Sequence, residues 1–268
     1  MIISEIRNLW FSKFEKQGRV NLDQFLEGLE AMGVKIPRAE AEGLFNSMDK
    51  GKDGMIDYLE WTSSLQLEDM VTRQFFVRSG FNKSLITRNG SLPLLNEQET
   101  KLMDSLMERV NTIAEAAHRK GVRLLIDAEQ TYMQPVIDHV ALKLQRRYNR
   151  DIPIVYNTYQ CYLTSTKQRL VNDVERGNRE GFHFAAKLVR GAYMVQERQR
   201  SKDRGEVSPI LETKADTDTQ YDECVKFLLE NIDHQAIMLA THNQHSIQYA
   251  TDQMNKYGHR FSIDKAWY

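Results

Sequence analysis

The chain has 268 residues, and its 36 Lys and Arg nearly cancel its 37 Asp and Glu, leaving a formal charge of −1 and no basic footprint for nucleic acid or an anionic membrane surface. Hydrophobic residues at 41% and charged residues at 27% are an ordinary balance for a globular chain with room for one large domain or two smaller ones. Two cysteines, Cys161 and Cys224, are too few for a disulfide framework and fit a reducing compartment, and no run reaches the ~18 apolar residues of a membrane span.

Residues 1–66 read as four short helices in two pairs. The opening MIISEIRNLW contains Glu5 and lacks both a signal-peptide core and an Arg/Ser-rich transit segment. The second pair brackets DKGKDGMIDYLE, residues 49–60. Asp49, Asp53, Asp57 and Glu60 fall at positions 1, 5, 9 and 12 of an EF-hand calcium loop, with Gly54 at the sharp turn of position 6 and Ile56 at position 8. These carboxylates make calcium a candidate ligand, although Gly51 leaves position 3 without a side chain and Lys50 and Lys52 add positive charge. The first pair brackets KFEKQGRVNLDQF, residues 13–25, where Gly18 and Val20 hold the matching places while Lys13 and Gln24 replace the acidic ends. This loop is expected to be a structural mate, with Ile56 pairing against it. Residues 67–95, with Gly80, Gly90 and Pro93, read as a linker or long loop. Asn96 and Glu99 then make a capping-box-like helix start, Leu102, Leu106, Val110, Ile113 and Ala117 share one helical face, and Gly121 is a stop.

Beyond this helix, four segments each run apolar residues into a polar cluster. They are VRLLIDAEQ (122–130), PIVYNTYQCYL (153–163), AAKLVRGAY (185–193) and AIMLATHN (236–243). An apolar run without alternation suits a strand buried on both faces of a parallel sheet. Helices are predicted between them. One begins at Pro135 with a stripe of Val136, Val140 and Leu144, one covers 165–180, and residues 196–220 give a helix and then a loop around Pro209. Two more cover 218–232 and 245–257, the last ended by Gly258. This alternation predicts an α/β fold in which the strand ends carrying Asp127, Gln160, Lys187 and Thr241 converge in chain order.

Together the four segments closely resemble the core of proline dehydrogenase, the flavin enzyme that oxidises L-proline to pyrroline-5-carboxylate, over roughly residues 95–266. The resemblance implies a partial (β/α)8 TIM-type barrel at residues 96–268, about four of eight strands, preceded by the small all-α EF-hand-like module. It also implies FAD, held non-covalently across the carboxyl-terminal mouth of the barrel, where no GxGxxG is needed and none is present. Asp127 matches the family's active-site aspartate; a helix cap or an ion pair is the alternative. Gln160 matches a glutamine that hydrogen-bonds the flavin ring, its amide offering both donor and acceptor. Lys187 stands where most bacterial members carry arginine near flavin N5, which keeps the cation and loses the bidentate fork. Its alternative is a barrel-interior ion pair with Glu129 or Asp127. Arg190, Gly191 and Ala192 match phosphate-proximal and ring-proximal positions, and Thr241, His242 and Asn243 match a THN that contacts the adenosine side or phosphates. His118, His139 and His234 read as surface or packing residues. Cys161 reads as a buried, inert thiol with no Cys/His/Asp grouping beside it.

The resemblance implies further expectations: L-proline as substrate, a quinone or other electron acceptor, and a place on the matrix side of the mitochondrial inner membrane. Because IDKAWY stops where the family begins another strand, the chain is expected to be cut at both ends. The lysine that pairs with the aspartate, and the arginine pair and tyrosine that hold the substrate, would then lie outside it, leaving the chain alone inactive. Two other readings stay open. One is a relative acting on 4-hydroxyproline, although EQTYMQP looks more like the proline enzyme. The other is a non-catalytic calcium-binding or regulatory protein with a barrel remnant.

Overall fold

The computed structural model describes residues 18–31, 36–64, 97–258 and 266–267. The first expected helix, the 67–95 linker and Asn96 therefore lie outside the described residues. The chain forms two compact units, residues 1–104 and 105–268.

In the first unit, β1 (Arg19–Asn21) pairs antiparallel with β2 (Met55–Asp57), placing Val20 opposite Ile56. Both are fully buried, together with Phe25, Phe45 and Trp61 from α1 (Leu22–Ala31), α2 (Arg38–Met48) and α3 (Tyr58–Ser64). Phe25 meets Phe45 and Trp61 edge-on, at centroid separations of 5.6 and 6.3 Å, the geometry that aromatic quadrupoles favour. Gln24 closes the start of α1 reciprocally with Asn21. Its Oε1 accepts from the Asn21 amide while Asn21 Oδ1 accepts from the Gln24 amide, both at 2.9 Å.

Helix α4 (Glu97–Lys120) forms as predicted, and Gly121 ends it at φ +64, where a Cβ would be strained. Of the predicted face, Leu106, Val110 and Ala117 are half-buried, and the other two residues are not. Leu102 and Ile113 are 64% and 56% exposed, whereas Ala114 is fully buried. Asn111 and His118 flank Ala114 on its face, and both meet Tyr148: its hydroxyl donates to the Asn111 carbonyl at 3.3 Å, and its ring lies 5.9 Å from that of His118. The reason is steric. A small residue and two polar neighbours let the helix approach Tyr148 closely, and Leu102 and Ile113 are left outside that contact.

The second unit is built on a parallel sheet in chain order: β3 (Leu124–Ile126), β4 (Val155–Gln160), β5 (Phe184–Val189), β6 (Gln235–Ala240) and β7 (Ala266–Trp267). Helices α5 (Gln134–Tyr148), α6 (Thr166–Glu180), α7 (Met194–Arg204), α8 (Lys214–Glu230) and α9 (Gln244–Tyr257) connect the strands. Strand β3 is much shorter than the predicted 122–130, because the polar groups after Ile126 bond to side chains. On one sheet face Tyr159, Phe184, Leu188 and Ile237 pack against Leu170, Val174, Val225 and Leu228. Alternation sends Tyr156, Ala185 and Ala236 to the other face, where they form a separate buried cluster. In the α5 stripe, Val140 and Leu144 are buried, whereas Val136 is exposed.

Candidate active site

The register fixes the site. Ile126 pairs with Asn157, so Asp127 stands level with Thr158, which pairs with Lys187, which pairs with Met238. Lys187 Nζ donates to Asp127 Oδ1 at 2.6 Å across this row, the lysine side chain being 20% exposed and the aspartate 77%. Thr158 Oγ1 beneath them donates to the Ile126 carbonyl at 2.7 Å, tying β4 to the end of β3.

Two residues higher on β4, Gln160 is 2% exposed. Its Nε2 donates to the Glu129 carbonyl at 2.9 Å and to the Tyr162 hydroxyl at 2.7 Å, while its Oε1 has no hydrogen-bond partner. Burial pushes the Tyr162 hydroxyl well above its ordinary pKa. The loop from 127 to 133 is held by side chains. Glu129 N donates to Gln134 Oε1 at 3.1 Å, and Thr131 donates through its amide and hydroxyl to the two oxygens of Glu197, at 2.6 and 2.8 Å.

At the end of β5 the backbone turns sharply, with Gly191 at φ +71 and Tyr193 at φ +54. For tyrosine that conformation is costly, and it persists because the surroundings hold the side chain. The Glu129 carboxylate raises the Tyr193 hydroxyl pKa, with desolvation and the Asp127 charge adding to the shift. Sequence reading passed over Tyr193 and Glu197; their partners lie about 64–66 positions away, and no local pattern marks them.

Asp127, Gln160 and Lys187 thus come together, whereas Arg190 does not join them. It is an odd number of residues beyond Lys187 and turns to the helix side. There it pairs with the Asp218 carboxylate, donates to Ser246 Oγ at 2.6 Å and lies 4.0 Å over the centre of the Tyr221 ring. Thr241 Oγ1 accepts from the Asn243 amide, and Asn243 Oδ1 caps α9 by accepting from Ser246 N, both at 3.1 Å. His242, Gly191 and Ala192 lie at the strand ends, and all three are exposed. Cys161 is buried, and that burial raises its thiol pKa strongly, but it has a neighbour that the sequence did not reveal: Cys224 lies beside it.

The structure gives the calcium expectation no support. Asp49 accepts from the amides of Asp53 and Gly54, Glu60 from those of Gly51 and Asp57, and Asp57 from those of Leu59 and Glu60. Asp53 pairs with Arg19 at 2.7 Å. No group of three or more His, Cys, Asp or Glu among the described residues gathers as a metal site.

A family profile described as proline dehydrogenase matches residues 32–264. The chain belongs to the proline dehydrogenase family. Human mitochondrial proline dehydrogenase 1 is 34% identical over 276 residues, covering 95% of this chain and 44% of that protein. The bovine protein of the same name is 36% identical over 239 residues, covering 87% and 38%. Bovine hydroxyproline dehydrogenase is 34% identical over 171 residues, covering 61% and 37%. The chain therefore spans less than half the length of these curated relatives. Among solved structures, proline utilization A from Bdellovibrio bacteriovorus, inactivated by N-propargylglycine, superposes with a TM-score of 0.55 at 24% identity, covering 63% of this chain and 19% of that one. That likeness shows the fold: a parallel sheet of the barrel type.

Proposed function

We propose that Asp127, Gln160 and Lys187 form part of an FAD-dependent site that oxidises L-proline to pyrroline-5-carboxylate. The observation that carries this reading is the Lys187–Asp127 pair beneath the unpartnered oxygen of Gln160, on one face at the carboxyl ends of parallel strands. FAD, when bound, supplies the hydride acceptor that side chains lack. The residues present fit it. Gln160 Oε1 is a buried acceptor without a partner, suited to an N–H on the ring edge, and the space a Cβ would fill at Gly191 is open.

In this reading Lys187 places a positive charge where negative charge develops during hydride transfer, and Asp127 orients the substrate amine. Gly191 and Ala192 line the cofactor with backbone, and Thr241 and His242 stand on the adenosine and phosphate side. Arg190 serves a phosphate only by exchanging its present partner Asp218. The reoxidant is a quinone or other electron acceptor. Relatives named mitochondrial support a mitochondrial setting, within which the matrix side of the inner membrane is the proposed place, and no helix among the described residues is long and apolar enough to cross a membrane. Residues 1–66 serve as an EF-hand-like packing module, 67–95 as a linker and 96–268 as the barrel portion.

Oxidation of 4-hydroxyproline is the second reading, supported by the hydroxyproline dehydrogenase relatives. Dye reduction by the natively expressed protein, compared between L-proline and 4-hydroxy-L-proline, separates the two. Faster turnover of proline is expected, and no reduction with either substrate overturns both.

A further inference from the structure

Residues 127–133 carry Asp127 yet belong to no ladder, since β3 stops at Ile126 and α5 starts at Gln134. Their position is set by side chains from β4, α5 and the β5–α7 unit. The tie to α7 differs in kind from the rest. Glu197 is 2% exposed, and both its oxygens accept from a single residue, Thr131, at 2.6 Å from the amide and 2.8 Å from the hydroxyl.

The β5–α7 unit holds this loop at two levels. Lys187 on β5 grips Asp127, and Glu197 in the first part of α7 grips Thr131. Glu197 N also donates to the Tyr193 carbonyl at 2.9 Å, so both ends of the turn are coupled through the helix. The Lys187–Asp127 pair is open to water on the aspartate side, where competing hydration weakens its hold. The Glu197–Thr131 tie is buried on the carboxylate side and half-buried at Thr131, so water competes for it less and an unmet donor costs more.

We infer that Glu197 is a positioning residue, whose carboxylate grips Thr131 and thereby sets where Asp127 stands against Lys187. An ionised carboxylate only accepts, which matches two donors from one residue. An amide in its place sets an NH2 group against one of them. The effect on turnover rests on the proposed proline chemistry; the effect on the loop does not.

The test uses the natively expressed protein with FAD. In Glu197→Gln, amide hydrogen exchange in residues 127–133 should speed up about tenfold or more while β4, β5 and β6 stay protected. kcat/KM for proline should fall with FAD affinity unchanged. Thr131→Ser keeps both bonds and should behave as wild type, whereas Thr131→Val should loosen the same loop. Should Glu197→Gln not fold, Thr131→Val carries the test, because the carboxylate stays in place. Loop exchange left at the wild-type rate in the folded variants overturns the inference. A wild-type protein that does not oxidise proline, but whose loop loosens as described, sinks the functional reading and leaves the positioning role standing.

Discussion

Replacing Lys187 with methionine separates function from stability. Methionine keeps an unbranched apolar stem in the sheet and removes the charge. The partner carboxylate of Asp127 is 77% exposed, so the ion pair at 2.6 Å is screened by water and contributes about 0–1 kcal/mol to folding. For a chain of this size that corresponds to a fall in Tm of no more than about 4 °C. Turnover should respond very differently, because a fixed positive charge aimed at developing negative charge typically accounts for about 10²–10³ in kcat. Lys187→Arg keeps the charge with altered geometry and should lie between the two. Differential scanning fluorimetry and single-turnover flavin reduction read both quantities on the same samples. Unchanged flavin reduction in Lys187→Met would refute the assignment. A collapse in Tm would instead make the pair a structural strut.

Three other outcomes are expected. Burial raises the Asp173 carboxyl pKa, with Arg176 opposing, so the ionised form costs stability above the folded pKa, and that stability is regained as pH falls through it. Asp173→Asn removes this titration, and its urea midpoint relative to wild type should be more favourable at neutral pH than at about pH 4; a pH-independent difference would contradict it. At Gly177 a Cβ would lie 3.2 Å from the Phe182 carbonyl oxygen and 3.3 Å from the Phe184 Cβ, neither of which can retreat easily. Gly177→Ala should therefore destabilise by about 1–2 kcal/mol in denaturant despite better helix propensity, and a gain in stability would show that α6 can shift. Calcium titrated into the apoprotein should give no heat beyond dilution, because the loop carboxylates already serve amides and Arg19; a saturable heat would overturn that reading.

Much of the fold was legible because β4, β5 and β6 are largely buried on both faces and set apolar residues at successive positions without period-two alternation. Strand β3 was overread. The polar residues after Ile126 look like a strand extension in one dimension, but their amides and carbonyls go to Gln134, Gln160 and Glu197. Period-two alternation already sets Lys187 and Arg190 on opposite faces, so the departure of Arg190 from the site row was readable. Its partners Asp218 and Ser246 were not, being 28 and 56 positions away with no spacing rule to connect them. On α4 the apolar period pointed to Leu102, Leu106, Val110, Ile113 and Ala117, of which Leu106, Val110 and Ala117 are half-buried, while close approach centred the contact on Ala114. Periodicity finds the hydrophobic face of a helix, and packing chooses the face that fits.

Anaerobic addition of L-proline to the natively expressed, FAD-loaded protein, followed by the visible flavin absorbance, tests the central claim most directly. Bleaching of the oxidised flavin is predicted, with much slower bleaching in Lys187→Met. Flavin that stays bound and oxidised with both L-proline and 4-hydroxy-L-proline would contradict the assignment of Asp127, Gln160 and Lys187 to amine oxidation.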